Sequence, residues 1–133
     1  MIHIGIDLGG TKISAMALDE KGKELSRARV PTPKNYEDIV ESCAKFVREL
    51  KGNQPATVGI GSPGAIDTHE GLIRFSPNVP SMKGKYLARD LQAVLGIPVR
   101  LANDAVCFAL SESVDGAAAS LNRVYGIILG TGV

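Results

Sequence analysis

The sequence has no surplus of charge of either sign. Fifteen Lys and Arg face fourteen Asp and Glu over 133 residues, a formal net charge of +1. That balance excludes a basic nucleic-acid-binding surface and an acidic tail, and no nucleic-acid partner is expected. No apolar run approaches the ~20 residues that a membrane span needs. The opening MIHIGIDLGG lacks a basic stretch followed by a long apolar one, so no secretory signal is expected. Cysteine and histidine are scarce, two of each. Cys43, Cys107, His3 and His69 stand far apart and offer no metal-ligand spacing. Two thiols without a signal point to a reduced, cytoplasmic setting, with both expected as buried structural groups inside helices. There is no internal repeat, low-complexity tract or linker. With 44% hydrophobic and 22% charged residues, disorder and collagen-like structure are excluded, and the length suits one domain.

What is present in excess is glycine, 15 residues, in a class of protein where about 7% is ordinary. It is clustered at Gly5, Gly9 and Gly10, at Gly59, Gly61 and Gly64, and at Gly126, Gly130 and Gly132. Such clusters at strand ends mark sharp turns or backbone that approaches a ligand.

The pattern along the chain predicts its elements. Ile2 to Asp7 reads as a strand ending at a Gly9-Gly10 hairpin signal. Lys12 to Leu18 returns, and Glu24 to Val30 is a third strand stopped by Pro31 and Pro33. Over Asn35 to Lys51 the period becomes helical: Tyr36, Ile39, Val40, Cys43, Val47 and Leu50 share a face, and Gly52 stands where a cap belongs. Ala56 to Ile60 is a strand, Ile66 to Phe75 a small hairpin, Tyr86 to Leu95 a helix, and Pro98 to Leu101 a strand. Asp104 is expected to cap a third helix carrying Val106, Ala109, Leu110 and Val114. Val124 to Leu129 is expected as a last apolar strand. The order β-β-β-α-β-α-β-α-β predicts an α/β fold with a mixed sheet: three antiparallel N-terminal strands, then βαβ units. Ending on an apolar strand and half a glycine loop, the chain is expected to be a truncated one.

Four groups of residues carry chemistry or plain structure. Asp7-Leu8-Gly9-Gly10-Thr11-Lys12 offers converging backbone N–H groups, a hydroxyl and a cation for phosphate, with Asp7 for Mg²⁺; the same residues also describe a simple Gly-Gly hairpin. Gly130-Thr131-Gly132 repeats the theme after a strand. Asn103-Asp104-Ala105 falls at a strand's carboxyl end, where α/β sheets place their sites; Asp104 suits a general base for an attacking hydroxyl, or only a helix cap. Gly59 to Gly64 and the Pro-bracketed Ser76 to Pro80 loop suit a polar pocket with Asn78 on sugar hydroxyls, or tight exposed turns.

Together these stretches resemble the ROK family of bacterial sugar kinases and sugar-responsive repressors. The resemblance runs over the whole chain: GIDLGGTK (5–12), RVPTP (29–33), VGIGSPGAID (58–67), GKYLARDL (84–91), LANDA (101–105), FALSES (108–113) and ILGTGV (128–133). It departs from the family pattern at Val106, where relatives often carry Asn, and at Ser62, where many have an apolar residue. The resemblance implies one lobe of the actin-like, ribonuclease-H-like ATPase fold and transfer of the ATP γ-phosphate to a hexose hydroxyl. Asp7 would orient Mg²⁺-ATP, Gly9, Gly10, Thr11 and Lys12 would form the first phosphate loop, and Gly130, Thr131 and Gly132 would begin the second. Asp104 would be the general base; Gly64, Ala65, Asn78 and Asn103 would line the sugar pocket. The wording is similar both to N-acetylglucosamine kinases and to fructokinases or mannokinases, so the sugar stays open.

The resemblance also implies that residues 1–133 are an N-terminal lobe. The C-terminal lobe, any structural Zn²⁺ site and the rest of the nucleotide site would then lie beyond Val133, the whole protein would be a homodimer, and the isolated chain would turn over little. Two other readings remain at this point: the lobe of a sugar-sensing regulator, disfavoured because the first strand is expected at Ile2, and a non-catalytic actin-like nucleotide-binding module.

Overall fold

A computed structural model of the chain describes residues 1–129. Alternation decides the first strands. In β1 (Ile2–Leu8) every even residue is buried and every odd one exposed, as period-two side-chain geometry requires. β2 (Lys12–Leu18) buries Ile13, Ala15 and Ala17. β3 (Glu24–Pro31) is mostly exposed and forms the sheet edge. These three strands pair antiparallel, with Ile4 opposite Ala17, Ile6 opposite Ala15 and Leu8 opposite Ile13.

The rest is added by crossovers. Helix α1 (Tyr36–Lys51) leads to β4 (Ala56–Ser62), which pairs parallel with β1. The short hairpin of β5 (Ala65–Ile66) and β6 (Ile73–Phe75) follows. Helix α2 (Leu87–Leu95) then leads to β7 (Val99–Asn103), parallel to β4, and α3 (Asp104–Val114) begins directly after it. The five-stranded order is β3-β2-β1-β4-β7. This is the expected mixed sheet. Among the described residues no helix is long and apolar enough to cross a membrane.

One face of the sheet is packed. Ile39, Cys43, Ala44 and Val47 of α1 and Leu87 and Leu91 of α2 are fully buried in one cluster with Ile2, Ile4, Ile6, Leu8, Val58 and Ile60. Each Ile or Leu so buried contributes about 1.5–3 kcal/mol. Helix α1 starts where Asn35 accepts a hydrogen bond from the Asp38 N–H and ends at Gly52, as its sequence predicts. The other face carries Gly5, Gly59 and Gly61 and, among the described residues, packs against α3.

Four expectations are corrected. Asn103, not Asp104, caps α3: its side chain accepts from the N–H groups of Ala105 and Val106. Asp104 is the first helical residue, because β7 runs two residues further than its apolar pattern suggests. Cys107 is half-exposed rather than buried. Val124 to Leu129 forms no strand. Among the described residues no sheet edge pairs with it, and Gly126 lies against the Phe108 ring of α3 instead. Unpaired, that segment leaves Tyr125 94% and Ile127 75% exposed. Gly130, Thr131 and Gly132 lie outside the described residues.

Gly64 is the residue on which the β4 exit depends. Its φ of +94° disfavours any L side chain, and an added Cβ would overlap the Phe75 carbonyl oxygen. Gly64→Ala is therefore expected to cost at least about 1–3 kcal/mol, the scale of one strained backbone residue. Urea unfolding of the two proteins checks this; equal midpoints would show that the exit loop re-forms freely.

Candidate active site

The turn between β1 and β2 is Gly9-Gly10-Thr11, closed by a hydrogen bond from the Gly9 N–H to the Lys12 carbonyl (2.9 Å). Neither glycine adopts a left-handed φ. Gly is required here by space. A Cβ on Gly9 would stand 3.0 Å from the Lys12 carbonyl oxygen, and one on Gly10 would stand 3.0 Å from that of Asn78. The turn therefore leans on the 76–80 loop. Behind it, Thr32 makes two bonds: its hydroxyl donates to the Gly9 carbonyl (2.7 Å) and its N–H to the Thr11 carbonyl (3.0 Å). Gly10 and Thr11 are exposed, and among the described residues their N–H groups have no backbone or side-chain acceptor. Unspent N–H donors beside the exposed Lys12 ammonium are a donor set that fits phosphate oxygens.

Two carboxylates meet next to this turn. Asp7, the penultimate residue of β1, pairs across the sheet with Gly61 of β4, and Gly61 with Ala102 of β7. A Cβ on Gly61 would lie 3.6 Å from the Asp104 Cα and 3.6 Å from the Cys107 sulfur. Asp104 and Cys107 of α3 thus pack over the bare backbone of Gly61, and Asp7 stands beside it in the same row of the sheet. Asp7, Lys12, Gly61, Asp104, Cys107 and Phe108 line one open cleft of about 1100 Å³.

The electrostatics follow from this grouping. Partial burial holds the Asp7 carboxyl above its ordinary range, the Asp104 charge adds to that, and Lys12 pulls it back. Burial, then repulsion from Asp104 and Asp7, pushes the Cys107 thiol up, which disfavours its thiolate form. A carboxylate pair beside one ammonium suits a Mg²⁺-bound polyphosphate, whose cation lies between like charges.

The other predicted residues gather at the same sheet edge. The Asn103 side chain both caps α3 and donates to the Gly64 carbonyl (2.7 Å). It ties the β4 exit loop to the helix that carries Asp104. Ala65 is exposed at the start of β5, opposite Phe75. Asn78 is exposed and backs onto Gly10. Residues from five separate stretches therefore converge: 7–12, 61–65, 78, 103–104 and 107. Sequence reading gave Thr32 no role, although it lies in the RVPTP stretch between two prolines, and misjudged Cys107. A second cleft, about 520 Å³ around Tyr36, Tyr86, Arg89 and Asp90, contains none of the predicted residues. It holds a structural bond, Tyr36 hydroxyl to Asp90 (2.7 Å).

The raised Asp7 carboxyl has a consequence for stability. Its ionised form weakens the folded state above the carboxylate range, and the penalty vanishes once pH falls below the unfolded value of about 4. Asp7 keeps solvent contact, so the effect is screened. Asp7→Asn is expected to raise Tm modestly at neutral pH, the gain closing as pH drops through about 4. Thermal unfolding at several pH values measures it; a lower Tm at neutral pH would contradict the like-charge grouping.

Known proteins can now be set beside this geometry. An N-acetyl-D-glucosamine kinase of Vibrio parahaemolyticus is 42% identical over 134 residues, covering 98% of this chain and 44% of its own. A ROK family glucokinase from Streptomyces griseus, solved with glucose and AMPPNP, superposes with a TM-score of 0.81 at 33% identity, over 90% of this chain and 38% of its own. A ROK hexokinase from Thermus thermophilus gives 0.80 at 39% identity, over 90% and 41%. The chain spans less than half the length of these three relatives, and it has the actin-like ATPase fold of these kinases. The ROK family model matches residues 3–133, so the chain belongs to the ROK family.

Proposed function

We propose that these residues are the N-terminal lobe of an ATP-dependent sugar kinase, which transfers the ATP γ-phosphate to a hydroxyl of a hexose or N-acetylhexosamine. The observation that carries this reading is the meeting of Asp7, the Gly9–Lys12 turn and Asp104 around the bare backbone of Gly61. N-acetylglucosamine is the first substrate to test, because relatives bearing that activity in their names are 40–42% identical.

Each residue has a role that its position supports. The N–H groups of Gly10 and Thr11, with Lys12, hold phosphate oxygens. Asp7 faces the nucleotide's metal. Mg²⁺, when bound with ATP, neutralises charge on the phosphates. Asp104 takes the proton of the attacking sugar hydroxyl as its oxygen bonds to the γ-phosphorus and the bond to ADP breaks. Gly64, Ala65, Asn78 and Asn103 border the sugar; Gly130, Thr131 and Gly132, outside the described residues, would by family resemblance begin a second phosphate loop. A kinase must exclude water from the transferred phosphoryl group. The cleft here is open, which supports a second lobe closing it and little turnover by residues 1–133 alone. Unpaired Cys43 and Cys107 support a cytoplasmic setting.

In the full-length protein, Asp104→Asn is expected to lower kcat by about 10²–10⁴-fold, the range of a general base, with sugar binding retained. Coupled detection of ADP release with a panel of hexoses and N-acetylhexosamines measures turnover, and calorimetry measures sugar binding. Unimpaired turnover in the variant would take the general-base role from Asp104, and a wild-type protein that turns over no sugar of the panel would move to the sensor or nucleotide-module reading.

A further inference from the structure

We infer that Thr32 is a positioning residue for the nucleotide: it holds the Gly9 and Thr11 carbonyls, two of the three in the Gly9–Thr11 turn, away from phosphate while the Gly10 and Thr11 N–H groups stay free to bind it. The inference rests on the nucleotide-binding part of the function proposed above.

Two glycines in three residues give this turn more backbone freedom than any other in the site, and freedom must be lost on binding. A free peptide turn also exposes carbonyl oxygens as readily as N–H groups, and carbonyl dipoles repel an anion. Something must therefore select one face of the turn. Within this structure that work falls to one residue. The Thr32 hydroxyl occupies the Gly9 carbonyl at 2.7 Å and the Thr32 N–H occupies the Thr11 carbonyl at 3.0 Å. The Gly9 N–H occupies the Lys12 carbonyl at 2.9 Å. What remains at the tip are the N–H groups of Gly10 and Thr11 described above and, of the three carbonyls, that of Gly10 alone.

The neighbours of Thr32 suit it to this task. It lies between Pro31 and Pro33. Proline has no N–H and a fixed φ, and it restricts the residue before it to extended backbone. So Thr32 is held stiff between its neighbours and carries the only backbone donor of the three residues. Pro31 pairs with Lys12 at the end of the β2–β3 ladder; Thr32 extends that ladder by one step onto the turn. The residue is half-buried and shares no contact with the sugar-side groups Gly64 and Asn103 among the hydrogen bonds described. A positioning role therefore predicts a defect confined to nucleotide.

The test uses the full-length protein and two variants. Thr32→Val keeps the shape and removes the hydroxyl; Thr32→Ser keeps the hydroxyl. Binding of Mg²⁺-ATP is measured by calorimetry, independent of turnover, and binding of N-acetylglucosamine and glucose in parallel. Thr32→Val is expected to weaken ATP binding about three- to tenfold, the size of one hydrogen bond. Sugar affinity should stay within about twofold by the additivity of separate sites, and Thr32→Ser should restore ATP affinity. Unchanged ATP binding in Thr32→Val, equal weakening of ATP and sugar, or no restoration by Ser would each overturn the inference. A wild-type protein that binds ATP yet phosphorylates no sugar would overturn the kinase reading while leaving this comparison intact. A wild type that binds no ATP would overturn both.

Discussion

Parallel pairing of β1 with β4 and of β4 with β7 is the constraint on which the rest depends. Parallel strands end on the same sheet edge, so everything that follows them is delivered there: the Gly9–Thr11 turn, the Gly64 loop and the start of α3. The register is equally binding. Asp7, Gly61 and Ala102 lie in one row across three strands. A slip of one residue would turn Asp7 into the core and Ile6 out of it. The buried Ile2-Ile4-Ile6-Leu8 series prevents that slip, so the hydrophobic face also aims the carboxylate.

The grouping of Asp7 with Asp104 works against stability. Asp7 and Asp104 repel across a glycine that offers them no screening side chain, and Lys12 compensates only in part. Around this unfavourable pair the backbone is held firmly. Thr32 grips the Gly9–Thr11 turn from behind, Asn78 backs it, and Asn103 fastens the Gly64 loop to α3. A strained centre in a stiff frame is what preorganised catalysis requires, since the frame is ordered before any ligand arrives. The contrast with Asp67 is instructive. Its carboxyl is pulled down to about 2 by Arg74 and the backbone N–H groups of Glu70 and His69, a satisfied surface turn with nothing left to offer a substrate.

Most of the fold was legible because short-range rules governed it. Alternation in Ile2 to Asp7, the helical face of Tyr36 to Leu50 and the glycine after Lys51 each depend on neighbours within a few residues. Where the reading failed, a distant contact had decided. The glycines of the hairpin were expected for turn geometry, yet they serve close approach by Lys12 and by Asn78, nearly seventy positions away along the chain. Asp104 looked like the cap because β7 runs on through Asn103, held by pairing with Ser62. Val124 to Leu129 has the composition of a strand, but a strand exists only against a partner.

The sequence by itself determined the element order, the packed face of the sheet and the identity of the charged and glycine-rich groups, since these follow from local periodicity and from residue chemistry. Only the tertiary structure decided that Asp7 and Asp104 come together beside Gly61, that Thr32 bonds the Gly9 and Thr11 carbonyls, and that Asn103 joins the Gly64 loop to α3. Those outcomes depend on strand register and on crossovers spanning tens of residues. Local pattern carries no record of which distant backbone will come within hydrogen-bonding distance.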